Sequence, residues 1–296
     1  MSLTISLILT FVCPVLLLGI ERLQAEKGRP WITPNFLTDA CVGLIQLAVV
    51  SGLLSGFVLS MQMLIQTELP FLQTGVLDGQ PGWLQIIVYL IAIDFGYYVF
   101  HRVMHSTKTL WVFHAVHHSA RRFNPMTDHR AHPFEVALYL ISRAVPPAIL
   151  GGSPPVIVAY LVIDHVWNNV LHCDIRINLG PLKYILVTPQ YHRIHHSREL
   201  RHFDKNFAGR FILFDYLFGT IHSDFHEYPE IGMDHYPIVE ESRSPVMAGR
   251  YAVGHFLYPF QALWAHFVQS KGQETHAHDA IETHTEPLVA IDANGS

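Results

Sequence analysis

The chain has 296 residues, of which half are apolar and only 15% are charged, and its net charge is -5. Since soluble domains carry about 25% charged residues, this composition predicts one membrane-embedded domain, and the lack of a basic excess excludes a general nucleic-acid-binding surface. The three cysteines are too few for a disulfide framework or a cysteine-ligated cluster, which leaves the 21 histidines and the carboxylates as candidate metal ligands.

Two apolar stretches open the chain. The first, residues 3–20, is close to the minimum of about 17 residues that a membrane-spanning helix needs. No basic residue precedes it and no small-residue cleavage site follows it, so we interpret it as an anchor rather than a signal peptide. The second, residues 37–65, is long enough to cross a bilayer with tilt.

Two further apolar regions complete the predicted membrane part. The stretch 83–100 ends directly in His101 and Arg102. The region 134–171 is interrupted by glycine, serine and proline at 151–155, which predicts a helical hairpin. About five apolar segments result, and the last two could be shallow or re-entrant.

The basic residues predict an orientation. Lysine and arginine occur in the short segments 21–29 and 102–130, whereas 67–82 contains neither, so the basic segments are expected on the cytoplasmic side. All the histidine clusters then face the cytoplasm. Residues 246–268 are typical of an interfacial helix, and the chain from Lys271 onward is predicted to be disordered.

Eight histidines recur in three short patterns that place their rings on shared helix faces. Thr188 is a suitable N-cap and Pro189 a suitable first residue, so the last pattern is predicted to begin a helix. A single histidine at a membrane end is usually a hydrogen-bonded core residue, but eight together predict a metal site. The patterns are an HxxxH pair (His101, His105) and two HxxHH triplets (His114, His117, His118 and His192, His195, His196).

One zinc ion uses about four ligands, so eight imidazoles are more than one ion needs. They imply either two ions or one ion with spectator rings. Imidazole binds iron, zinc, copper and nickel, so the ligands alone leave the metal open.

Several strings of the sequence share one resemblance. They are DFGYYVFHRVMHSTKTLWVFHAVHHS from Asp94, RAHPFE from Arg130, TPQYHRIHHS from Thr188, and NFAG followed by DYLFGT from Asn206. Together they resemble the fatty acid hydroxylase superfamily, the membrane-bound sterol desaturase and hydroxylase group. The resemblance covers roughly residues 85–221 and includes all three histidine boxes in order. It implies a bundle of membrane helices capped by a cytoplasmic di-iron site.

The resemblance also implies a ligand set. The pair and the two triplets above are its three boxes, and His172 stands where members often place a further ligand. His132, in the HPFE string, is either a ligand or a neighbour of one. His165 is either functional or a hydrogen-bonded core residue, and Asn168 stands near a position where some relatives have a histidine.

Carboxylates and amides are expected to complete the site, because ligating imidazoles usually donate their other N–H to a carboxylate or carbonyl. Asp94 lies two turns before His101 on the same helix face, and Asp215 and Asn206 lie in the shared strings. For each of them the alternative is an ordinary interhelical hydrogen bond.

The predicted fold is therefore an all-α membrane bundle with a cytoplasmic helical cap. Residues 1–82 form N-terminal membrane helices, 83–225 the fatty acid hydroxylase-like core, and 226–296 a C-terminal extension, all within one structural domain.

The resemblance implies that O2 and two external electrons hydroxylate or desaturate a lipid that enters from the bilayer. Two iron ions are the expected cofactors, and zinc could replace them in a purified sample. The sequence has no dinucleotide-binding fingerprint, so an external donor of the ferredoxin or cytochrome b5 type is expected.

Two other functions fit the histidines. The same cage could hold zinc as a Lewis acid in a membrane hydrolase or isomerase. The chain could instead be a non-enzymatic metal-binding or transport protein, but its apolar stretches contain few polar residues for a metal path.

Overall fold

The computed structural model describes residues 7–24, 32–49, 55–177, 179–238 and 244–282. Within these ranges the chain is built of helices and loops and contains no β-strand, which confirms the all-α prediction. The helices are α1 (Cys13–Gln24, preceded by a π-turn Ile8–Val12), α2 (Phe36–Val49), α3 (Ser55–Glu68), α4 (Gly82–Ser106), α5 (Lys108–His118), α6 (Pro133–Leu150), α7 (Pro154–Leu171), α8 (Pro189–His195), α9 (Leu213–Leu217) and α10 (Pro245–Glu282).

Two of the described helices, α4 and α6, are long and apolar enough to cross a membrane. They pack against each other, and α4 turns Ile87, Ile91 and Phe95 outward as exposed apolar side chains. Such an apolar outer surface suits contact with lipid. The structure thus supports membrane association, while the five predicted segments remain a prediction.

The N-terminal stretches are described in part. The second stretch corresponds to α2 and α3, on either side of residues 50–54, which lie outside the described residues. α2 packs against α10 and the turn Thr127–His129, whereas α3 packs against α6. Lys27 and Arg29, on which the predicted orientation partly rests, also lie outside the described residues.

The predicted hairpin is confirmed as α6 and α7. Gly151 and Gly152 connect them with φ of 75° and 113°, backbone angles that L side chains rarely adopt. Pro154 then begins α7 at a position where a helix tolerates proline. The side chain of Asp78 accepts a hydrogen bond from the Gly152 N–H at 2.7 Å, which ties the connection to the loop before α4.

The C-terminal helix α10 contains the whole segment 246–268 and continues to Glu282. The disorder predicted from Lys271 onward stays a prediction. Residues 283–296 lie outside the described residues.

Candidate metal centre

The three histidine patterns lie at the end of α4, at the end of α5 and in α8, and their side chains come together in space. His101 and His105 occupy the last turns of α4, and the first triplet ends α5. In the second triplet, His192 and His195 belong to α8 and His196 is its C-cap. The Thr188 hydroxyl accepts a hydrogen bond from the Tyr191 N–H at 3.2 Å, as the predicted N-cap requires. His172 caps the C-terminus of α7.

These nine imidazoles divide into two groups, and in each the candidate ligand atoms all lie within 4.8 Å of one another. Each triplet contributes to both groups, and the rings of His118 and His196 stack across the boundary with centroids 4.3 Å apart. The groups are therefore neighbours. The first histidine group is His101, His105, His114, His118 and His195; the second is His117, His172, His192 and His196.

The Nε2 atoms of the first group point at one another. His114 Nε2 lies 3.0 Å from His101 Nε2 and 3.1 Å from His118 Nε2. The buried Nε2 atoms of His105 and His195 have no hydrogen-bond partner within the described ranges. Five nitrogens therefore converge on one small volume.

The second group repeats this arrangement. His172 Nε2 lies 3.2 Å from His117 Nε2 and 2.9 Å from His192 Nε2, and His196 Nε2 lies 3.1 Å from His192 Nε2. Spacings near 3 Å are what two ligand atoms have when each is about 2.1 Å from a shared ion at a right angle.

The opposite ring nitrogens show that the inward atoms carry lone pairs. The Nδ1 atoms of His101 and His195 lie 2.7 and 2.8 Å from the carbonyl oxygens of Phe207 and Lys205. A carbonyl can only accept, so each Nδ1 is protonated, and the Nε2 of the neutral ring has a lone pair. Lone pairs aimed at one another are favourable only around a cation. The residues therefore fit metal ions.

Burial keeps these rings in the metal-binding form. It lowers the pKa of His117, His192 and His196 well below the usual value, with neighbouring histidines adding to the effect. Burial also lowers the pKa of His172 to about 4. Neutral imidazole is the form that ligates a metal, so at neutral pH no proton has to be displaced from these nitrogens.

The loop 205–211 supports the first group through the two carbonyls above. The Asp215 carboxylate accepts hydrogen bonds from the Phe207 and Ala208 N–H groups, both at 2.8 Å. Asp94 accepts from the N–H groups of the next three residues, at 2.8 to 3.1 Å. Two buried carboxylates thus hold the loop from both sides.

Asn206 orders the same loop. Its amide donates to the Tyr191 carbonyl at 3.2 Å, and its side-chain oxygen accepts from the His222 N–H at 2.7 Å. Within the described part of the chain, the hydrogen bonds of Asp94, Asn206 and Asp215 do not reach an imidazole of either group. We expected these three side chains to hydrogen-bond to the rings directly. Instead they support the rings indirectly, because they order the loop whose backbone carbonyls contact the rings.

One imidazole of the first group has a direct carboxylate partner that the sequence analysis did not predict. Glu135 Oε1 lies 2.8 Å from His114 Nδ1, and both side chains are buried. Glu135 is the last residue of the RAHPFE string, which was the available signal. Asp204 lies 3.4 Å from His105 Nδ1 and is a weaker contact of the same kind.

His132 lies apart from both groups. Its Nδ1 accepts a hydrogen bond from the Phe134 N–H at 3.1 Å as the N-cap of α6, and its ring stacks on Phe256 at 5.2 Å. The backbone carbonyl oxygen of Asn168 lies 2.8 Å from His172 Nδ1.

A buried ion pair supports the second group. Arg130 contacts Asp39 of α2 at 2.6 Å, and the Arg130 carbonyl oxygen lies 3.1 Å from His117 Nδ1. Asn124 and Thr127 also donate to Asp39, at 2.8 and 3.2 Å. The ion pair thus orders the turn that carries the Arg130 carbonyl. In the sequence, the charge of Asp39 within an apolar stretch indicated that this residue has a buried partner.

A cavity of about 290 Å³ opens onto the second group. Its lining includes His117, His172 and His192, and apolar side chains of α2, α6 and α7 form much of the wall. None of the first group lines it. A substrate in this cavity would therefore meet the second group.

A third cluster of possible ligands lies near the surface. His202 and His222 each lie 3.0 Å from a Glu227 oxygen, and Arg201 also pairs with Glu227. The cationic Arg201 and the existing hydrogen bonds favour an ordinary ion-pair network over a metal site here.

Residues 86–220 match the family model described as fatty acid hydroxylase, in agreement with the resemblance seen in the sequence. The alkylglycerol monooxygenase of Homo sapiens is 31% identical over 229 residues, which are 76% of this chain and 49% of that protein. The ornithine lipid hydroxylase of Rhizobium tropici is 29% identical over 61% of this chain and 54% of its own.

A very-long-chain aldehyde decarbonylase of Oryza sativa is 29% identical over 49% of this chain and 24% of its own. The chain spans about half the length of the first two relatives. No solved structure matches this chain significantly.

Proposed function

This chain belongs to the fatty acid hydroxylase superfamily, and from that premise we propose that it is a membrane di-iron oxygenase acting on a C–H bond of a sterol, fatty acyl or related lipid. In hydroxylation one oxygen atom of O2 enters the product as C–OH. The other leaves as water, with two electrons and two protons from a donor. In desaturation both atoms leave as water and the lipid loses two hydrogens.

The observation that carries this proposal is the convergence of nine imidazoles in two adjacent groups. The first group would hold one ion and the second group the other. Two iron ions, when bound, supply the reactivity toward O2 that an unactivated C–H bond requires, which acid–base side chains cannot provide.

The chain's own residues hold the ligands and bind the substrate. Backbone carbonyls fix the orientation of four of the candidate ligand rings, so little rearrangement is needed when the ions bind. These carbonyls belong to Phe207, Lys205, Arg130 and Asn168. The cavity beside the second group would receive the lipid, and its apolar walls would exclude water from the reacting carbon.

The arrangement at the membrane follows from α4. This helix has the composition of a membrane span, and its last turns carry His101 and His105. We therefore propose a multi-pass protein with the histidines on the cytoplasmic side, where a ferredoxin or cytochrome b5-type protein would deliver electrons. The lipid would enter from the bilayer.

The test is to supply the purified chain with ferrous iron, a reduced donor and O2, and to analyse lipids by mass spectrometry. We expect products that gain one oxygen or lose two hydrogens, and about two iron ions per chain. His195→Ala should abolish these products, whereas the substitution His226→Ala, at an exposed histidine outside both groups, should not.

Turnover that continues without O2, or that zinc alone supports, would contradict the proposal. It would favour a zinc-dependent hydrolase or isomerase instead.

A further inference from the structure

The cavity has a polar corner beside the second histidine group. The turn Thr127–His129 forms it, and both Asp128 and His129 line the cavity. The His129 side chain is nearly fully buried, with 5% exposure, yet its Nε2 has no hydrogen-bond partner among the residues that the structure describes. A buried polar atom without a partner is costly unless a ligand completes it.

Asp128 adds an acceptor in the same corner. Its carboxylate lies 3.7 Å from His172 Nδ1, but that nitrogen already has the Asn168 carbonyl oxygen at 2.8 Å. The Asp128 side chain retains 20% exposure, so its oxygens can accept hydrogen bonds from a molecule in the cavity. The corner thus offers an acceptor and an imidazole nitrogen on adjacent residues.

The charge of Asp128 disfavours an anionic group in this corner of the cavity. Among its described lining residues Arg143 is the one arginine or lysine, and Asp164 pairs with it at 2.9 Å. Asp128 would repel a phosphate or carboxylate group that lay against it. A hydroxyl group, in contrast, can donate to Asp128 and accept from His129 at once.

We propose that Asp128 and His129 bind a hydroxyl group of a neutral, hydroxyl-bearing lipid headgroup, and so hold the neighbouring carbon beside the second histidine group. This inference rests on the proposed function for its catalytic meaning. The cavity is at the lower end of the size of small-molecule sites, about 300 Å³ or more, so it suits a headgroup and the first part of a chain. The rest of the chain would lie against α6 and α7.

The test compares lipids that share one acyl chain and differ in the headgroup. Palmitoylglycerol, its di-O-methyl ether, palmitoylglycerol phosphate and palmitoyl ethylenediamine are each titrated by native mass spectrometry against the iron-loaded protein in nanodiscs under nitrogen. We expect palmitoylglycerol to bind at least about tenfold more tightly than the ether, since the ether leaves Asp128 without a donor. The phosphate should bind more weakly still.

His129→Leu and Asp128→Ala should each reduce the tenfold preference to about twofold or less. His129→Gln keeps a hydrogen-bonding group and should retain more of the preference than His129→Leu. His226→Leu is the matched control, since His226 is exposed and lies outside the cavity lining. Thermal unfolding of each variant separates loss of binding from loss of folding.

An unchanged preference in the folded His129→Leu variant, or tighter binding of the phosphate or the amine, would overturn the assignment. The binding assay contains no O2, so it does not depend on turnover. If the hydroxyl preference is found but no oxidised product forms with O2 and a donor, the proposed function fails while the headgroup site stands. If oxidised product forms but no hydroxyl preference is found, the proposed oxygenase function stands and the headgroup site is contradicted.

Discussion

The two ring nitrogens of His114 have different environments. Its Nε2 faces two other imidazoles of the first group, and its Nδ1 lies 2.8 Å from the buried carboxylate of Glu135. A carboxylate in this position fixes the tautomer and makes the ring a stronger ligand. Glu135 should therefore influence the first ion without touching it.

We expect Glu135→Gln to weaken metal binding by the first group about tenfold, and Glu135→Ala by up to about 100-fold, because charge and then the acceptor itself are lost. Titration against a chelator of known affinity measures this. The matched control is Glu230→Gln, at a side chain that is 87% exposed. Equal affinities for Glu135→Gln and Glu230→Gln would contradict the role given to Glu135.

A second prediction separates His195 from His132. His195→Ala removes a nitrogen that has no other partner in the described structure, so the bound metal should fall from two ions per chain toward one. His132→Asn should keep both ions, because asparagine preserves the N-cap of α6. Elemental analysis after desalting gives the counts. Loss of an ion in His132→Asn would return His132 to the ligand set.

At the residue scale the sequence predicted which rings meet, and helix geometry explains how they divide. With 3.6 residues per turn, side chains at i and i+4 point about 40° apart, whereas those at i+3 and i+4 differ by about 100°. His114 and His118 accordingly share a group and His117 joins the other. The second triplet divides in the same way. The HxxHH spacing on a helix therefore predicts the division of each triplet between two groups.

The acceptors behind the rings could not be predicted in this way. His101 and His195 use backbone carbonyls of the loop 205–211, and every residue type has such a carbonyl. Only the tertiary structure selects Phe207 and Lys205. The sequence signal was indirect, in that Asp94 and Asp215 were unusual charges in apolar surroundings.

At the element scale, the loop 205–211 links the membrane part to the metal centre. Asp94 lies in the middle of α4 and Asp215 in α9, so the loop is held by one helix of membrane-spanning character and one short helix. Asp215 also accepts hydrogen bonds from Tyr191 at 2.9 Å and Thr220 at 2.7 Å. One carboxylate thus satisfies four donors.

Asp215→Ala should lower the free energy of unfolding by about 2–4 kcal/mol, since it leaves buried backbone N–H groups without acceptors. It should also weaken metal binding by the first group, because the loop that holds the Phe207 carbonyl loses its support. Thermal unfolding in detergent and metal titration measure the two effects. Asp234→Ala, at an exposed carboxylate, is the control. Wild-type stability in Asp215→Ala would contradict this account of the loop.

At the scale of the whole molecule, the apolar stretches predicted the helices better than their relation to a bilayer. The hairpin α6 and α7 and the helix α4 occur where the pattern indicated. The second stretch, however, gives α2 and α3 with different neighbours, and α10 extends beyond its apolar part. Hydropathy reports the solvent that a segment prefers, whereas the packing partners depend on contacts between distant segments.

The last prediction concerns orientation. If α4 crosses the membrane once, the loop before it and the histidine helices after it must lie in different compartments. Gln73, in the loop before α4, and Arg121 and Ser223, beyond it, are all exposed. Cysteines at these positions can therefore be reached by a water-soluble, membrane-impermeant maleimide from one side only.

We expect Arg121→Cys and Ser223→Cys to react in inside-out vesicles, and Gln73→Cys only in right-side-out vesicles, because basic loops remain cytoplasmic. The native cysteines at 13, 41 and 173 are half-buried or buried, and the unsubstituted chain measures their background. Labelling of Gln73→Cys and Arg121→Cys from the same side would mean that α4 does not cross. The metal centre would then sit on a helix lying within one leaflet, and the lipid would have to reach it from that leaflet alone.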